Sequence, residues 1–156
     1  MEENEIGTVI VNCAVQLHQA LGPGLLETVY EVTLARRLEK AGLSVAGQVG
    51  IPITFEGEEF EVGFRADLIV EGLVIVELKS VERVSPAHKK QLLTYLKLTG
   101  LKLGYLLNFG EALMRDGITR TINGTLCSTS VSPCLREKPE IEQDAAGQPA
   151  TRHESR

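Results

Sequence analysis

The chain has 156 residues, 43% hydrophobic and 24% charged, with 16 Lys and Arg against 21 Asp and Glu for a net charge of −5. Those proportions belong to an ordinary globular chain and exclude collagen, a fully disordered polymer and a disulfide-knotted miniprotein. With three Tyr, four Phe and no Trp, a broad base-stacking platform is excluded as well.

The negative balance argues against gripping nucleic acid by bulk electrostatics, which draws on clustered Lys and Arg. It leaves open an enzyme that meets phosphates through a bound cation, because the ion brings its own positive charge. Cys13, Cys127 and Cys134 match no zinc spacing. No apolar run approaches the roughly 18 residues of a membrane span. The start, Met1-Glu2-Glu3-Asn4-Glu5, has neither the basic opening nor the apolar stretch of a secretory signal. A reducing, cytoplasmic setting is expected.

In chain order, Ile6, Ile10, Cys13, Leu17 and Leu21 recur at steps of three and four, predicting a helix from Asn4 to Leu21. Gly22-Pro23-Gly24 ends it. A second helix is predicted over Leu25–Ala41, with Leu26, Tyr30, Leu34, Leu38 and Ala41 on one stripe and Gly42 as its stop. The period then changes to two, through Val49, Ile51, Ile53 and Phe55, then Phe60, Val62 and Phe64, then Ala66, Leu68 and Val70. Glu56-Gly57 and Glu71-Gly72 mark hairpin turns. Leu73-Val74-Ile75-Val76 is apolar on both faces, the mark of a central covered strand. A third helix is expected from Pro86 to Thr99, a buried strand over Leu103–Asn108, and a short final strand over Gly117–Ile122. The order is roughly ααββββαβ, an α/β (α+β) fold with helices on a mixed sheet. Residues 125–156 hold three of the six prolines and no aromatic, too little apolar surface to offset ordering entropy. The expectation is one domain over 1–124 and a disordered tail over 125–156.

Three charges sit where a central strand should be apolar. Glu77 and Lys79 close the run Leu73–Lys79 on one face, and burying them demands a pairing or a metal. Asp67, on the preceding strand, joins them only if the hairpin has the right parity. A two-residue loop at 71–72 turns Asp67 away from Glu77, since a one-residue slip flips every side chain. A three-residue loop, Val70-Glu71-Gly72, pairs Asp67 with Ile75 and puts both carboxylates on one face. The metal reading therefore predicts that loop, or another of the same parity.

Gly24-Leu25-Leu26-Glu27-Thr28-Val29-Tyr30 resembles the signature of the GxxExxY proteins, which are similar to the PD-(D/E)XK nuclease superfamily. Asp67 matches that motif's aspartate, with Ala66 in place of the preceding proline, and Glu77-Leu78-Lys79 matches its E-x-K. Gln91-Leu92-Leu93-Thr94-Tyr95 resembles the Q-x-x-x-Y helix motif of the RecB-like branch. The resemblance implies a restriction-endonuclease-like core and a Mg²⁺- or Mn²⁺-dependent nuclease acting on nucleic acid, DNA ahead of RNA. It implies Asp67, Glu77 and the Leu78 backbone carbonyl as metal ligands, Glu27 as a further ligand directly or through water, and Lys79 beside the attacking water. Hard divalent ions favour such oxygen donors. Without the ion, at least one of the carboxyls should titrate high.

Tyr30, Gln91 and Tyr95 are candidate supports, with the core stripe as the plainer place for Tyr30. His18 and His88 are expected on the helix surface. Lys89, Lys90, Lys97 and Lys102 form a modest basic edge that fits a phosphate backbone or an ordinary solvated face. A small chain around a duplex suggests a homodimer. Two other readings stand: a non-catalytic binding or assembly protein that keeps the fold, and a metal-assisted hydrolase of a small nucleotide.

Overall fold

The computed structural model describes residues 1–126. Cys127, Cys134 and nearly all of the expected tail lie outside the described residues. Leu126, assigned to that tail from composition, packs against the main core.

Nine elements follow one another among the described residues: α1 (Glu3–Leu21), α2 (Glu27–Lys40), β1 (Val45–Phe55), β2 (Glu58–Val70), β3 (Val74–Lys79), α3 (Pro86–Thr99), β4 (Leu103–Asn108), α4 (Met114–Gly117) and β5 (Ile118–Ile122). The sheet runs β1-β2-β3-β4-β5. Only β3 and β4 are parallel, and α3 makes the crossover that a parallel pair requires. Three strands precede α3 rather than four, because the apolar runs on either side of Arg65 belong to the single strand β2. The one-turn α4 had no periodic signal to announce it.

The helix ends obey their sequence signals. Past α2, Gly42 takes a left-handed φ of 88°. Its N–H bonds Glu39 O and the Leu43 N–H bonds Leu38 O, the paired bonds that close a helix at glycine. Ser85 caps α3 ahead of Pro86.

Two cores sandwich the sheet. On one face α1 and α2 bring Ile6, Ile10, Leu17, Tyr30, Leu34 and Leu38 onto Leu68, Val76, Leu78 and Leu107. On the other, Leu92 and Leu96 of α3 cover Ala66, Ile75 and Leu106. The α1 stripe turns out centred on Ile6, Ile10, Ala14 and Leu17, and Leu21 emerges into solvent. Leu26 and Ala41, expected on the α2 stripe, flank the helix as its caps and are exposed. No helix among the described residues is long and apolar enough to cross a membrane.

Tyr30 ties this packing to the loop before α2. Its ring stacks on Phe109 at 4.3 Å between centroids. Its hydroxyl donates to Gly22 O at 2.5 Å and accepts from the Leu25 N–H at 3.2 Å. Tyr30→Phe leaves both loop groups without that partner and should destabilise the fold by about 1–2 kcal/mol. Tyr30→Leu, which also removes the stack, should cost more. Urea midpoints of the three proteins check the order.

Candidate active site

The β2–β3 hairpin decides where the carboxylates point. Its register is Leu68↔Val76, Ile69↔Ile75 and Val70↔Val74, so the loop is Glu71-Gly72-Leu73. That is three residues and the parity the site needs, displaced by one from Val70–Gly72. Extended by one step, the register sets Asp67 opposite Glu77 rather than Ile75. Glu71 and Gly72 both have positive φ, 54° and 65°, and Leu73 N–H bonds Val70 O, as in a type I′ turn. Glu71 holds this conformation through Ser44: its N–H donates to Ser44 O, and its carboxylate accepts the Ser44 N–H.

At Asp67 the ladder breaks. Phe64 and Ala66 pack with the α3 cluster, whereas Leu68 and Val70 pack with the α1–α2 cluster. Alternation therefore slips by one residue at this point. By register the Leu78 N–H should find the Ala66 carbonyl. It donates instead to Asp67 Oδ2 at 2.9 Å.

Glu77 is 7% exposed, and its Oε1 is buried with no hydrogen-bond partner. Burial first, then the neighbouring Asp67, push its carboxyl up to about 8, with Lys79 opposing. The strand's alternation carries Glu77 and Lys79 on the Ile75 face, toward α3. Lys79 Nζ lies 3.7 Å from Glu27 Oε1, so the first residue of α2 meets the last of β3. Two bonds hold that junction: Ser80 Oγ donates to Leu25 O at 2.7 Å, and Phe109 N–H bonds Lys79 O at 2.7 Å.

Gln91 and Tyr95 face the same place from α3. Gln91 Nε2 donates to the Tyr95 hydroxyl at 2.6 Å, and the Tyr95 ring stacks on Phe64 at 3.7 Å. Burial, then Glu77 and Asp67, raise the Tyr95 phenol. Tyr30 is not part of this group: it is wholly buried on the opposite side of the sheet. His88 caps α3, its Nδ1 accepting the Ser85 N–H at 3.4 Å. His18 is buried rather than on the surface, with Nε2 at 2.8 Å from Glu111 O.

Three residues that sequence reasoning passed over complete the arrangement. Gln48 lies opposite Asp67, between the pairs Gly47↔Leu68 and Val49↔Ala66. Its Nε2 donates to Glu31 Oε1 at 2.7 Å and to Asp67 Oδ1 at 3.5 Å. Its φ of +50° is a strained conformation for a side-chain-bearing residue, held across from the point where β2 changes face. Glu31 was legible as the residue one turn after Glu27 on the same helix face. Asn108, fully buried at the end of β4, accepts the N–H groups of Val81 and Gly110 and donates to Val81 O. It fixes the loop that follows Lys79. A polar residue closing the apolar run Leu103–Leu107 was the available signal.

Asp67 and Glu77 form a carboxyl pair. Among the described residues no group of three or more His, Cys, Asp and Glu side chains forms that could hold a metal ion; Glu27 stands with Lys79. A pair still suffices for an ion that keeps waters and takes its other oxygens from substrate. The partnerless Glu77 oxygen is the kind of group such an ion would satisfy.

A family model described as the PD-(D/E)XK nuclease superfamily matches residues 4–121. No curated protein and no solved structure matches the chain.

The buried carboxyl sets a stability profile. Glu77 holds its proton more tightly folded than unfolded, so its contribution is complete below about pH 4.5 and is lost as pH rises through about 8. Glu77→Gln cannot ionise. Wild type should therefore lose stability relative to Glu77→Gln across that window, by on the order of 1–3 kcal/mol at its end. Urea denaturation at pH 5, 7 and 9 with chelator present reads the difference.

Proposed function

Because this chain belongs to the PD-(D/E)XK nuclease superfamily, we propose that it hydrolyses phosphodiester bonds of nucleic acid, DNA ahead of RNA, with Mg²⁺ or Mn²⁺, in the cytoplasm. Residues 1–124 are its nuclease domain. The observation that carries this reading is the partnerless Glu77 oxygen beside Asp67 at the end of a central strand. Its placement among the GxxExxY proteins and the RecB-like branch rests on Gly24, Glu27 and Tyr30, and on Gln91 and Tyr95.

Asp67 and Glu77 are the ligands of the divalent ion. The Leu78 carbonyl joins them, because a strand residue turns its N–H and C=O to the same edge and the Leu78 N–H already meets Asp67. When bound, the ion supplies a Lewis acid for the phosphoryl oxygens. The chain's own residues do the rest. Glu27 holds Lys79 by its ion pair and would reach a bound ion directly or through water. Lys79 orients the attacking water and stabilises the negative charge that builds on the phosphoryl oxygens as the new P–O bond forms and the bond to the sugar oxygen breaks. Gln48, bridging Glu31 and Asp67, keeps the Asp67 carboxylate aimed. Tyr95, steadied by Gln91 and stacked on Phe64, walls the site on the α3 side.

The second reading, a binding or assembly protein that keeps the fold, draws on the net charge of −5.

Cleavage of single- and double-stranded DNA and RNA, with Mg²⁺ or Mn²⁺ and with chelator, tests the proposal. Wild type should cut only with metal, and Glu77→Ala and Lys79→Ala should each lose about 100-fold or more while staying folded by circular dichroism. Gln48→Ala should lose about 10-fold, and Tyr30→Phe should cut like wild type once folded. Absence of cutting on every substrate, or equal cutting by the Glu77 and Lys79 variants, overturns it.

A further inference from the structure

Beyond Arg65 the sheet narrows to two strands. β2 pairs with β3 only over Leu68–Val70, whereas its partnership with β1 runs out to Phe55↔Glu58. Past Phe64, which still stacks on Tyr95 of α3, the outer part of β1 and β2 is an arm that no helix covers, and residues 58–63 are exposed on both faces. A lone two-stranded ribbon is marginal in water. This one nonetheless carries Phe55 at 64%, Val62 at 53% and Phe60 at 46% exposure. Its strands are held close: Ile53 lies over Gly63, where any Cβ would come within 2.4 Å of it. A concavity of about 430 Å³ opens between Ile53, Thr54, Glu59, Phe60 and Glu61. The arm's charges are all of one sign, Glu56, Glu58, Glu59 and Glu61, and none is ion-paired among the described residues.

The opposite chemistry lies elsewhere on the same chain. Between α1 and α2 a groove of about 260 Å³ has an apolar floor of Leu17, Ala20 and Leu21 and a rim of Arg36, Arg37 and Lys40. Those cations also lack an ion pair among the described residues. The outer face of α2 extends the apolar ground with Leu26, Val29 and Val32, Leu26 being 78% exposed. The buried stripe of Tyr30, Leu34 and Leu38 accounts for none of these.

We propose that the β1–β2 arm of one copy docks into the α1–α2 groove of a second copy. Phe55, Phe60 and Val62 meet the apolar ground, and Glu58, opposite Phe55 on the same face, meets Arg36 and Lys40 together with Glu56 at the turn. Exposed apolar patches of this kind mark interaction sites, and the two patches are complementary in sign. Two arms would repel each other, and the arm's charge disfavours nucleic acid. The contact joins two different patches, so it closes when each copy gives an arm and receives one about a two-fold axis. This gives the homodimer suggested by the chain's size its surface, and it is independent of the nuclease reading.

Charge exchange on the full chain tests it, read by sedimentation equilibrium at low and high salt. Wild type should dimerise at micromolar concentration at low salt and weaken about 10-fold or more at high salt. Glu56→Lys/Glu58→Lys and Arg36→Glu/Lys40→Glu should each be monomeric alone, and an equimolar mixture should dimerise again. Phe60→Glu should weaken wild-type association about 10-fold or more. A monomeric wild type, charge variants that dimerise like wild type, or a mixture that stays monomeric overturns the proposal. Cleavage is not the readout, so failure here leaves the nuclease reading untouched.

Discussion

One hydrogen bond organises the site: the Asp67 carboxylate takes the Leu78 N–H that a continued β2–β3 ladder would have given to a backbone carbonyl. Had the ladder continued, alternation would have stayed in step and Asp67 would carry no structural duty. Because it stops, β2 changes face at Asp67, and the carboxylate becomes part of the sheet's own bonding. Its position is then fixed by the backbone of the strand that bears Glu77 and Lys79. Opposite, Gln48 accepts a left-handed conformation and braces the second carboxylate oxygen. Backbone strain and side-chain bonding meet at one residue pair, as they do where a fold holds a reactive geometry.

The rest of the molecule brings α2 to that pair. Phe109 stacks Tyr30, Tyr30 pins the Gly22–Leu25 loop, and Ser80 bonds Leu25 O. Glu27 therefore begins its helix within ion-pair reach of Lys79. Asn108 then locks the chain after β3. Every one of these bonds lies at the C-terminal end of the two central strands, where the apolar runs Val74–Val76 and Leu103–Leu107 give way to polar residues. Burial that stabilises the strands is also what raises Glu77: the carboxyl is held neutral, ready to ionise when a cation compensates it.

Much of this is legible in the amino-acid sequence. Stripes at steps of three and four located the helices, and glycine, proline and serine marked their ends. Charges interrupting the apolar strand Val74–Lys79 marked Glu77 and Lys79, and parity alone stated the condition for Asp67 to join them. What escaped has physical reasons. The step in β2 depends on a side chain replacing a backbone acceptor, which leaves no mark in hydropathy. The loop lay one residue further on, at Glu71–Leu73, because Leu73 is as apolar as the strand that follows it. Gln48 carries no catalytic chemistry of its own and gains meaning only from the residue across the strand. His18 sits beside an exposed helix end, and the return of the chain through Phe109 and Glu111 covers it. Period-two patterning made β1 and β2 look like sheet throughout, but it could not tell a covered strand from an arm, because both alternate.

Titration of Mn²⁺ into the protein by calorimetry at pH 7, in two buffers of different ionisation enthalpy, tests the central claim most directly. If Glu77 is neutral until a cation arrives, binding should release about one proton per ion, and Glu77→Gln should bind far more weakly with no proton released. Absence of binding, or binding without proton release that Glu77→Gln leaves unchanged, would contradict the account.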